Sequence, residues 1–164
     1  MNARTAAILL AAAALTACAV PPDGPTQSVG EDYSNLLPQR DIYAVETFSG
    51  LTARTGRLVL DQPSWKMMWD SITANFGAKK PTLPDVDFST HVVLVAAAGS
   101  TPTQLVSFQI TGVRQYQNFM GVTVEVNWPA CGGVPVVTTP VHVVSVPRVA
   151  TEAKFTFVNT STSC

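Results

Sequence analysis

Charge is scarce in this chain. Only 13% of its 164 residues are charged, 10 basic against 11 acidic, for a formal net charge of −1. So neutral a chain has no long-range field with which to gather nucleic acid or acidic substrates, and no nucleic-acid partner is expected. Sparse, balanced charge together with 46% hydrophobic residues also argues against disorder. Histidine is scarcer still: His91 and His142 are the two present, and neither sits in a His-Glu-x-x-His context. Gly-x-Ser-x-Gly is missing, and so is a glycine-rich phosphate loop closing on Lys-Ser or Lys-Thr. No catalytic residue, metal site or cofactor is therefore expected. A chain of this length fits one domain and buries a real core unaided.

What is present begins with an address. Arg4 precedes the apolar run Ala6–Leu15, which is too short to span a bilayer as a mature helix. Leu15-Thr16-Ala17-Cys18 follows, and it resembles the lipobox of bacterial lipoproteins. That resemblance implies a signal peptide over residues 1–17, cleavage before Cys18, and acylation of Cys18 by palmitate-type chains. An ordinary secretory signal with an incidental cysteine is the plainer alternative. Each buried CH₂ contributes about 0.8 kcal/mol, so two or more chains make a stable anchor in a membrane of the cell envelope. Residue 19 is alanine, where aspartate would resemble the inner-membrane retention signal; in a cell with two membranes the outer one is favoured.

Residues 18–40 then read as the acylated cysteine and a tether. Pro21, Pro22, Gly24, Pro25, Gly30 and Pro38 leave little apolar periodicity, which suits an extended spacer. A single globular domain is expected over 41–164. Within it, Ala44–Phe48 and Gly56–Leu60 are short strand candidates. Trp65, Met68, Trp69, Ile72 and Phe76 fall on one helical stripe, with Asp61 as cap, Pro63 in the first turn and Gly77 at the end. A stripe of this kind faces a core far more often than a partner. Lys79–Pro84 is a stiff connector. Val92–Ala98 is almost continuously apolar and reads as a strand buried on both faces. Val106–Ile110 and Val122–Trp128 alternate, predicting half-buried strands joined across a Gln115–Asn118 turn; the alternation puts Trp128 on the core face. Val141–Val146 and Phe155–Val158 supply two more. The fold expected is α+β: a mostly antiparallel sheet of six to seven strands with one amphipathic helix packed on it.

With Cys18 lipidated, Cys131 and Cys164 are left in an oxidising compartment, where thiols pair. Free thiols or a metal pair are the alternatives, the latter weak without nearby histidines. Asp85 and Asp87 could hold a cation or act in acid–base chemistry, but Phe88-Ser89-Thr90 supplies few further ligands. The commoner role for such aspartates is to accept loose backbone N–H groups in a loop.

Three phrases together resemble the PrcB C-terminal domain family, named for an accessory lipoprotein of a surface protease complex. They are Ser64–Trp69, Pro84–Ser89 and Thr139–Arg148, with the apolar strand ending at Gly99 between them. The likeness covers about residues 57–149. The family's usual Gly-Gly-Tyr turn after that strand is replaced here by Ser100–Leu105. The resemblance implies an envelope protein that assists or stabilises a protein partner, a protease among the candidates, and that is not itself an enzyme. The competing expectation is an envelope hydrolase or small-ligand-binding protein using the loops around Asp85, Asp87 and His142.

Overall fold

A computed structural model describes residues 35–45 and 47–162. The signal peptide, Cys18, most of the tether and Cys164 lie outside the described residues. Within them, eight strands form two four-stranded sheets: β1 (Asn35–Leu36), β2 (Arg40–Val45), β3 (Thr55–Val59), β4 (His91–Ala97), β5 (Ser107–Gln115), β6 (Met120–Trp128), β7 (Val141–Pro147) and β8 (Ala153–Ser161). Between β3 and β4 come the helix α1 (Gln62–Ile72) and a 3₁₀ segment, Ala74–Lys79. The inner sheet has the order β2-β7-β4-β3 and the outer sheet β1-β5-β6-β8.

Strand β4 lies at the heart of the fold because both of its faces are apolar. Val92, Leu94 and Ala96 pack with Val144 and Val146 against Ile110, Val113, Val122 and Val124 of the outer sheet. Val93, Val95 and Ala97 point the other way, onto Trp65, Trp69 and Ile72 of α1. Helix, inner sheet and outer sheet thus stack as three layers, with period-2 alternation sending each half of the apolar run into a different core.

Helix α1 starts where Asp61 Oδ1 accepts the Ser64 N–H at 2.8 Å, with proline in the first turn. Its two tryptophans are buried, yet each indole N–H finds a carbonyl: Trp65 Nε1 donates to Pro84 O (2.9 Å) and Trp69 Nε1 to Pro81 O (3.2 Å). The proline-rich connector is strapped across the helix by these bonds, and burial of the rings costs no unpaired donor.

The α+β class holds at the level of a mainly β chain with little helix; a single sheet does not. Strand alternation says which face of a strand is wet, not which sheet it joins, and so eight strands divide into two stacked sheets rather than six or seven sharing one. Nor is the last strand antiparallel. Strand β8 runs parallel to β6 from Met120↔Ala153 to Trp128↔Ser161, and β7 in the other sheet makes the crossover that parallel neighbours require. The helix stops at Ile72 instead of continuing to Gly77, since Thr73 turns its hydroxyl back to Trp69 O at 2.6 Å and a 3₁₀ segment follows. Phe76 therefore leaves the buried stripe and is only half-buried. Phe48, expected in a strand, is 56% exposed and makes an isolated bridge to Thr139. Ordered packing also begins before Asp41: β1 pairs with β5, and Leu37 is buried between the sheets. At the opposite edge Gly56 lets β8 close on β3, because a Cβ there would stand 2.2 Å from Phe155 Cγ.

Candidate functional site

The loop that carries Asp85 and Asp87 borders an open cleft of about 600 Å³, closed on its other side by residues 38–42 and floored by Ser145 and Pro147. Arg40, Asp41, Asp85 and His91 bring charge or potential charge to it. Asp87 is committed to its own turn. Its Oδ1 accepts the Ser89 N–H at 3.0 Å and the Ser89 hydroxyl at 2.5 Å, and Oδ2 accepts Thr90 Oγ1 at 2.8 Å. The Ser89 and Thr90 hydroxyl bonds hold its carboxyl below the usual carboxylate range. A carboxylate already serving three donors is a turn organiser rather than a base waiting for substrate. Thr90 Oγ1 also lies 2.8 Å from His91 Nδ1, at the exposed start of β4.

His142 does not join this group. It pairs with Ala96 at the far end of β4 from His91, and its ring is buried between the two sheets. There Nδ1 accepts the Ile110 backbone N–H at 2.9 Å, beside the register shift between Ile110 and Gly112 in β5. That acceptor role fixes the tautomer with the proton on Nε2, which points to Asp41 Oδ1 at 3.5 Å. Burial lowers the His142 pKa below its ordinary value, against the opposing pull of Asp41. A second proton would have to go on Nδ1, where it would meet the Ile110 N–H. His142 is thus a polar clamp between sheets, and only its partner Asp41 reaches the cleft.

Asp85, Asp87 and His142 accordingly do not converge, and no cluster of three or more metal-ligating side chains occurs among the described residues. Three residues that organise the region had no local signature. Asp41 is the first residue of the expected domain, with no motif around it. Arg148 Nη1 donates to Phe88 O at 2.8 Å and to Leu60 O at 3.0 Å, tying the Asp87 loop to the end of β7. Ile110 offers only a main-chain group. Each depends on contacts across long sequence separations, so only the alternation of β7, which turns His142 inward with Val144 and Val146, could have hinted at any of them.

Cys131 is disulfide-bonded. It follows the end of β6, and Thr162 N donates to Trp128 O at 3.2 Å, which brings the last described residues beside that loop. No helix among the described residues is long and apolar enough to cross a membrane. Comparison with family models, with curated proteins and with solved structures finds no match to this chain.

Proposed function

We propose that the chain is an envelope lipoprotein held to a membrane by acylated Cys18, and that its domain is a non-enzymatic interaction or stabilising module for a protein partner. The lipobox-like Leu15-Thr16-Ala17-Cys18, directly after a short apolar run, is the observation that carries this reading. Two features of the fold support the second half. Asp87, at the cleft, is occupied in holding its own turn together, and one face of the outer sheet carries exposed side chains, Thr111, Thr123 and Thr156 among them. A protease is the partner class suggested by the PrcB-like phrases. Cys164 is the proposed partner of Cys131, a pairing that fastens the end of β8 beside the end of β6.

Replacing the acyl acceptor is the test. Cys18→Ser should move the protein from the membrane fraction to the soluble fraction of the envelope, because two or more buried chains supply the attachment. Membrane retention equal to wild type would overturn the anchor. The cleft favours a second reading, capture of a small polar ligand by Arg40, Asp85 and His91, for which a thermal-shift screen of small anions and metabolites is the direct check.

A further inference from the structure

The main chain of β8 uses one of its edges and leaves the other open. Met120 N donates to Glu152 O at 2.9 Å, and Thr162 N donates to Trp128 O at 3.2 Å. Even-numbered residues of this stretch therefore turn their main-chain groups toward β6, and alternate residues of a strand turn theirs to opposite edges. Ala153, Phe155, Phe157, Asn159 and Ser161 aim their N–H and C=O groups away from β6, where no strand among the described residues pairs with them. Strand β3 comes close at Gly56, but in the other layer and with no ladder to β8. Val158, on the outward face of this strand, is 41% exposed.

The other strand edges carry the devices that keep sheets from pairing with one another. Strand β1 is two residues long. Strand β2 has a register shift between Asp41 and Tyr43 and opens on two charged residues, Arg40 and Asp41. Strand β3 has five residues, with Arg57 exposed at its centre. Beyond β1, the edge of β5 is sealed by Leu37 N donating to Val113 O, by Gln39 Nε2 donating to Ile110 O, and by His142 accepting the Ile110 N–H. Strand β8 has none of these. It runs nine residues, about 30 Å, with one charged side chain, no proline and an unbroken register on β6.

We propose that this edge pairs with a second copy of the chain: two β8 strands run antiparallel about a twofold axis at Phe157 and join two four-stranded outer sheets into one. The edge itself specifies that occupant. With the axis at Phe157, Ala153 faces Ser161, Phe155 faces Asn159 and Phe157 faces its mate. Every outward main-chain group of the strand then has a partner, for about ten hydrogen bonds. The outward side chains agree with the same register. Thr156 faces Val158, a β-branched pair of the kind that stabilises sheets, and Lys154 faces Thr160, so no like charges oppose each other along the strand. Arg54, whose guanidinium lies 5.3 Å from the Phe157 centroid, is the cation nearest the axis, and it meets its own mate there. That repulsion, and a contact smaller than the roughly 800 Å² per partner of a standard interface, set the dissociation constant in the micromolar range. The contact is isologous, so it closes at two copies and does not propagate.

Sedimentation equilibrium of the whole chain, in density-matched detergent at a large excess of micelles, tests the proposal whether or not the chain is acylated. A monomer–dimer equilibrium should appear as the protein concentration rises through the micromolar range. Thr156→Lys with Val158→Lys sets lysine opposite lysine across the axis, and should weaken the dimer on the order of tenfold or more at an unchanged thermal midpoint. Thr156→Lys with Val158→Glu sets opposite charges across the same two positions and should restore it. Hydrogen exchange in the wild type decides the matter should these variants fold poorly. The amides of Phe155, Phe157 and Asn159 should slow severalfold from dilute to concentrated protein, while those of Thr156 and Val158, already bonded to β6, change little. A chain that stays monomeric throughout would overturn the proposal, including the case in which the edge takes a strand from a different protein. A dimer that ignores the paired lysines, that the Lys–Glu pair fails to restore, or that disappears with reductant would place the contact elsewhere and also overturn it.

Discussion

The two sheets are built from similar numbers of β-branched residues, but their surroundings differ. The inner sheet is covered on both sides, by α1 and by its companion sheet, and six of the seven residues of β4 are buried. Among the described residues the outer sheet is covered on one side only, and β8 alternates between half-buried and exposed over its first six residues. Burial is thus concentrated in the two central strands of the inner sheet, β4 and β7, whose alternate side chains enter one core or the other. The outer sheet keeps exposed side chains such as Thr111, Thr123 and Thr156 on its other face, and substitutions there need not disturb the fold.

Truncation at the helix layer should break the molecule most severely. Trp69→Ala removes a ring packed against Tyr43 and Trp65, at centroid distances of 4.8 and 5.4 Å, and leaves a cavity on the inner sheet. A loss of about 3–5 kcal/mol in denaturant unfolding is expected. Opening the disulfide at Cys131 comes next. Cys131→Ala should cost about 2–4 kcal/mol, and hydrogen exchange should place the loosening at the end of β8 while β4 stays protected.

His142 links the two regions, and its loss should be smaller. His142→Leu leaves the buried Ile110 N–H without its acceptor, for about 1–3 kcal/mol. The wild type should also be sensitive to acid. With its folded pKa below the ordinary 6.5, the His142 contribution is complete above that value and declines as pH falls from 6.5 toward the folded pKa, since the unfolded chain then binds the extra proton. The thermal midpoint of the wild type should fall between pH 7.5 and pH 5 more steeply than that of His142→Leu. At the bottom of the scale, Thr123→Ala on the exposed face of β6 should change stability by less than about 0.5 kcal/mol. A large effect there would mean that the outer face is not free.

The contrast between the sheets also explains how far the sequence could be read. Val92–Ala98 announces β4 because burial on both faces leaves an unbroken apolar run. Trp65, Trp69 and Ile72 announce the face of α1 by their spacing, and Asp61 marks its start. Pairing is another matter. Nothing in Phe155–Val158 distinguishes a parallel neighbour of β6 from an antiparallel one, because that choice is made by β7 crossing to the other sheet. Leu37 looks like part of a proline-rich spacer until β1 finds β5. The aspartates of the cleft were legible as loop acceptors in Asp87, whose hydroxyl partners are two and three residues away. His142 and Ile110, 32 residues apart, meet only because a bulge and a sheet stack coincide.

Intact-mass analysis of protein extracted from membranes tests the central claim most directly. The expected chain starts at Cys18, lacks residues 1–17 and carries the mass of two or more acyl chains on that residue. A chain that starts elsewhere, or that starts at Cys18 without lipid, would contradict it.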